Sequence, residues 1–216
     1  DSYSTRIVWV GAANSSVFLM RGWKNSEISN VTVSCGSIAN VVAWDLDTDT
    51  ASPSSSFLTF RNCIVEMGSG GGCTGWRGGI STVGGGDHSF YTFLNCLVIA
   101  TPGKGDFGWL ALRQNALNWT WYGGANLGCD TGFSNRRAGG GERGGASMYF
   151  YGFGASGATL DFDFTREGEY KIVGGRYELG KRFMYAGFSG ATFFMMVTVE
   201  ADISKYSPAD GILFYL

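Results

Sequence analysis

Asp161 and Asp163 stand two residues apart in Leu160-Asp161-Phe162-Asp163-Phe164, the clearest period-two run in the chain. Glycoside hydrolysis uses two carboxylates roughly 5–10 Å apart. Strand geometry would set this pair about 6.5–7 Å apart on one face. The same alternation makes that face a solvated exterior, with the phenylalanines inside. A carboxylate in water is not tuned to act as a general acid. Arg182 is expected beside Asp161 on the next repeat, as a surface ion pair of small energetic worth. The expected catalytic set is therefore none, and Asp161 with Asp163 is the pair whose spacing permits one.

Other chemistry-bearing residues point to binding rather than turnover. Asp45-x-Asp47-x-Asp49 has the start of a calcium loop, but position six is Thr50 and position twelve is Ser56, where such a loop needs Gly and Glu. The single histidine, His88, adjoins Asp87, and adjacent residues rarely build a Ser-His-Asp geometry. No CxxC spacing suggests zinc, and no Gly-rich segment joins a strand to a helix as a phosphate loop does. Neither a metal nor a cofactor is expected. Arg136, Arg137 and Arg143 lie in a glycine-rich stretch from which guanidinium forks would reach carboxylates of a glycan or a neighbouring subunit. Asp87, His88 and Arg113 leave the same edge of the chain's repeat and complete the candidate binding set. Trp44, Trp76 and Trp109 would be sugar-stacking platforms if exposed. Trp44 is in phase with Leu46 and Trp76 with Ile80, which turns both inward. Trp109 is ambiguous, because Leu110 and Leu112 lie in the opposite phase.

What must position these residues is a repeat. A large apolar residue, one free position and then Asn or Gly recurs in Ile28-Ser29-Asn30, Phe60-Arg61-Asn62, Phe93-Leu94-Asn95, Trp121-Tyr122-Gly123, Phe150-Tyr151-Gly152 and Ile172-Val173-Gly174. Trp44, Trp76 and Trp109 each follow the Asn of their copy by 14 residues, and Phe133, Phe162 and Met184 each follow the Gly by 10. Two markers in one register imply rungs of fixed cross-section joined by loops of variable length. Asn and Gly tolerate the left-handed backbone of a tight corner. Rungs about 4.8 Å apart put like residues on like, so Asn30, Asn62 and Asn95 are expected to form an inward ladder of bonded amides.

With Arg6-Ile7-Val8-Trp9-Val10-Gly11, Phe60-Arg61-Asn62-Cys63-Ile64-Val65 and Phe93-Leu94-Asn95-Cys96-Leu97-Val98, the sequence resembles the pectate-lyase-like superfamily over roughly residues 5 to 200. The resemblance implies an all-β fold, a right-handed single-stranded parallel β-helix of about seven to eight rungs. It is weak on function, because that superfamily spans polysaccharide lyases, glycoside hydrolases, phage tailspikes and plain virion components.

Composition narrows the choice. Gly is 35 of 216 residues, Pro only 3 and aromatics 15%, which suits short strands and tight turns. Charged residues are 16% with net charge −2, so no basic face calls for nucleic acid, and no apolar run is long enough to insert in a membrane as a helix. The five cysteines are odd in number; Cys63 and Cys96 share a register and suit a buried stack of small hydrophobes. Residues 1–216 are expected to be one solenoid domain. Neither end carries the polar cap a solenoid needs, so the expectation is a segment of a longer chain or one capped by neighbours, including copies of itself. The functional expectation is a non-catalytic virion component (phage tail fibre, tailspike or decoration segment), extracellular or on the virion, with other subunits and surface glycans as partners. The alternatives are a polysaccharide lyase or glycoside hydrolase, or a carbohydrate-binding module.

Overall fold

The computed structural model describes residues 5–46, 55–78, 89–112, 116–135, 146–165, 168–178, 181–187, 191–200 and 214–215. Among them the regular elements are all β-strands, 21 in number. The first rung is β1 (Thr5–Val8), β2 (Ser16–Leu19) and β3 (Lys24–Ser29). The second is β4 (Val31–Ser34), β5 (Val42–Asp45) and β6 (Ser56–Arg61), and the third is β7 (Ile64–Glu66), β8 (Thr74–Gly78) and β9 (Tyr91–Leu94). The fourth is β10 (Leu97–Ile99), β11 (Phe107–Ala111) and β12 (Ala116–Tyr122). The fifth is β13 (Ala125–Leu127), β14 (Thr131–Ser134) and β15 (Ala146–Tyr151). Then come β16 (Gly154–Ser156), β17 (Leu160–Phe164), β18 (Gly168–Glu178), β19 (Arg182–Ala186), β20 (Ala191–Glu200) and β21 (Phe214–Tyr215).

From β1 to β15 each strand pairs in parallel with the strand three places on, and from β16 to β19 with the strand two places on, so the chain climbs by one strand spacing per rung. One ladder is β1-β4-β7-β10-β13-β16-β18 and another is β3-β6-β9-β12-β15-β18-β20; they share β18 and so form a 13-stranded sheet. The third ladder, β2-β5-β8-β11-β14-β17-β19-β21, is a separate 8-stranded sheet. No helix among the described residues is long and apolar enough to cross a membrane.

The repeat signature marks the corner between the two ladders of the larger sheet. Asn30, Asn62 and Asn95 have φ of 56°, 51° and 51°, and Gly123, Gly152 and Gly174 have 63°, 64° and 69°. This is the left-handed region that the residue types imply. The expected direction of the Asn side chains is corrected: all three residues are exposed. A left-handed corner throws its side chain off the convex edge, and the inward positions on either side go to Phe60, Cys63, Phe93 and Cys96. Asn62 Nδ2 does donate to Asn30 Oδ1 at 3.2 Å, so one step of the expected ladder is made, on the outside.

The interior is two aromatic stacks meeting edge to face. Trp76 lies flat on Trp109 at 5.1 Å and 5°, while Phe93 stacks on Phe60 at 5.5 Å and on Trp121 at 4.9 Å. Trp76 meets Phe93 at 5.8 Å and 77°, the geometry that ring quadrupoles favour. Trp44, Trp76 and Trp109 are all buried, so they are core residues and not an exposed platform. The five cysteines are buried free thiols, and burial pushes the Cys129 thiol up.

Candidate functional site

Five consecutive positions in the smaller sheet follow a fixed order, and it is not simple alternation. In β17, Leu160 faces out, Asp161 and Phe162 are both buried within, Asp163 turns out again, and Phe164 is inside. The same order holds for Phe107 to Ala111 in β11, where Gly108 and Trp109 are the two consecutive buried residues. A strand that bends between two inward residues shifts the phase of everything after it. Trp109 and Leu110 then both find their natural sides.

The expected carboxylate pair is therefore corrected. Asp163 reaches the outer surface of the sheet, whereas Asp161 is 2% exposed and enclosed in the core. Arg182 registers with Leu160, not with Asp161, and so stands on the same outer face as Asp163.

That outer face carries a groove of about 630 Å³ crossing β11, β14, β17 and β19. Four rungs at strand spacing give it a length of about 14 Å. One column along it is Phe107, Thr131, Leu160 and Arg182; the other is Leu110, Ser134, Asp163 and Tyr185. The lower end is apolar and the upper end offers a carboxylate, a guanidinium and a phenol. Asp163 is itself 4% exposed and accepts a hydrogen bond from Ser134 Oγ at 3.1 Å. Such a surface can stack an apolar ring face and bond the hydroxyls around its rim.

Further down the same columns the acid is already committed. Asp45 is buried and receives Arg77 through Nη2 at 2.6 Å and Nε at 3.2 Å, with Ser16 Oγ at 2.6 Å. A carboxylate held by such a fork is a poor calcium ligand. Asp47 and Asp49 lie outside the described residues, as do Asp87, His88, Arg113, Arg136, Arg137 and Arg143. Among the described residues no group of three His, Cys, Asp or Glu side chains is placed to hold a metal.

Sequence reasoning missed the groove residues Phe107, Ser134, Leu160 and Tyr185, and two interior polar residues, Asn126 and Tyr177. The signal for Asn126 is present in the stacking register. Val98 pairs with both Val65 and Asn126, so the column that carries valine on the lower rungs must take an amide inside. No family model, curated protein or solved structure matches the chain.

Proposed function

We propose that the chain is a right-handed single-stranded parallel β-helix that serves as a non-catalytic interaction component of a virion, a tail fibre, tailspike or decoration segment. Its groove over β11, β14, β17 and β19 holds a surface glycan. The observation that carries this reading is the composition of the groove: its lining residues include one carboxylate, Asp163, already bonded to Ser134. Both two-carboxylate mechanisms of glycoside hydrolysis need a second acid across the bond, and Asp161 sits on the other side of the strand. The mixture of Phe107, Leu110 and Leu160 with Asp163, Arg182 and Tyr185 suits a ligand with apolar ring faces and a polar rim.

The virion setting rests on the sequence resemblance together with the regular stacking of rungs, a form suited to rigid extracellular parts. Screening the protein against bacterial capsular and plant polysaccharides tests the reading, with reducing-end and ultraviolet product assays run on every binder. Binding without new reducing ends or unsaturated products is expected. Chain cleavage would replace the proposal with the hydrolase or lyase alternative, and the absence of any glycan binder would remove the glycan from it.

A further inference from the structure

Three polar side chains stand inside the stack on successive rungs. Asn126 of β13 is 0% exposed, Asp161 of β17 2% and Tyr177 of β18 0%. Both amide atoms of Asn126, both carboxyl oxygens of Asp161 and the Tyr177 hydroxyl are without a hydrogen-bond partner among the described residues. A buried polar atom left without a partner forfeits the hydrogen bonds it makes to water in the unfolded chain, so five together in one region would be severely destabilising.

The backbone around them is shaped for polar contents. The residues facing Asn126 are Gly108 and Gly132, where an added Cβ would lie 2.8 Å from Asn126 Oδ1 and 2.8 Å from Asn126 Nδ2 respectively. The same position at Gly132 would lie 2.6 Å from the Asp161 carbonyl oxygen, which puts the two residues' neighbourhoods in contact. The column that carries Val98, Asn126 and Tyr177 narrows to Ala155 between Asn126 and Tyr177. Tyr177 closes the upper side, packed on Phe162 at 5.7 Å and Phe183 at 4.9 Å.

We propose that Asn126, Asp161 and Tyr177 enclose an interior hydration site, in which one or two ordered waters bridge the three side chains and Asp161 carries its proton. The chemistry selects water over a cation. A cation would use only the oxygen acceptors, and the Asn126 amide N–H groups would still lack a partner. Water donates and accepts, and buried waters ordinarily make about three bonds to groups of this kind. A buried carboxylate without a facing cation takes up a proton instead of standing ionised. Burial alone pushes the Asp161 carboxyl well above its usual range, and burial followed by the Asp161 charge pushes the Tyr177 phenol up. Among the described residues, Tyr177 is the one titratable group shown to sense Asp161.

A crystal structure of the protein at atomic resolution tests the site, with Asp161→Asn solved beside it. The expected result is ordered density within hydrogen-bond distance of Asn126, Asp161 and Tyr177, retained in D161N, whose amide is the neutral mimic of a protonated acid. Side chains bonded directly to one another with no density between them would overturn the proposal. So would density that is lost in D161N and follows the cation of the buffer, which marks a metal site. If D161N does not fold, Tyr177→Phe provides the second arm. Water that stays on Asn126 and Asp161 supports the site, and a dry, collapsed interior overturns it. Neither result bears on whether the outer groove binds a glycan.

Discussion

Asp161 and Asp163 are two residues apart on one strand and lie on opposite sides of it, one in the core and one in the groove wall. A single bend between two inward residues produces this separation. It divides the chain's polar chemistry between an outer groove and an inner polar layer.

The inner member gives a pH dependence of definite sign. Asp161 binds its proton more tightly folded than unfolded, because burial raises its pKa. Its contribution to stability is therefore complete below the ordinary aspartate range, about pH 4, and is lost as pH rises toward the raised folded value. Thermal melts of the wild type and D161N across pH should show D161N gaining on the wild type as pH increases. Parallel curves would mean that Asp161 is solvated.

Gly108→Ala should destabilise by about 1–3 kcal/mol through overpacking. Its Cβ would stand 2.4 Å from the Gly132 carbonyl oxygen and 2.8 Å from Asn126 Oδ1. Urea unfolding measures this. A neutral result would show that the rungs can separate there without cost.

The Asn ladder separates into a backbone role and an amide role. Asn62→Gly keeps the left-handed corner and should leave the unfolding midpoint nearly unchanged. Asn62→Ala should cost about 1–2 kcal/mol from the strained corner. Equal losses in both variants would mean that the outer bond to Asn30 carries the stability instead.

These contrasts show what was legible in the sequence. The corners were, because left-handed φ selects Asn and Gly by residue type, and Asn62 and Gly123 could be recognised without coordinates. The shared register of Trp76 and Trp109 was legible from spacing, but the inward side of Trp109 was not, because Leu110 and Leu112 lie in the opposite phase. The face of Asp161 was not, because a period-two reading assumes a straight strand and β17 bends at Asp161 and Phe162. The direction of Asn62 was missed for a related reason: a corner residue belongs to neither strand's alternation. The groove was invisible because Leu110, Asp163 and Arg182 sit on three different rungs and meet only through stacking.

Arg77→Met should be among the most disruptive changes outside the core, costing about 3–5 kcal/mol by leaving the carboxylate of Asp45 buried and unpaired. The side chains are 27% and 3% exposed at a contact of 2.6 Å. Arg61→Ala, which removes an exposed pair with Glu27 at 2.9 Å, should leave the urea midpoint in place. If both behave alike, Asp45 is reached by solvent.

The proposed glycan site in the groove is tested most directly by calorimetric titration of a polysaccharide fragment identified by screening, using wild type, Arg182→Ala and the combined Arg136→Ala, Arg137→Ala and Arg143→Ala variant. Arg182 is an exposed side chain at the upper end of the groove, so its removal should weaken affinity by roughly tenfold or more, the worth of one charge-assisted hydrogen bond, with the melting temperature unchanged. The triple variant should bind as wild type does. Full affinity in R182A with binding lost in the triple variant would contradict the assignment and place the glycan at Arg136, Arg137 and Arg143.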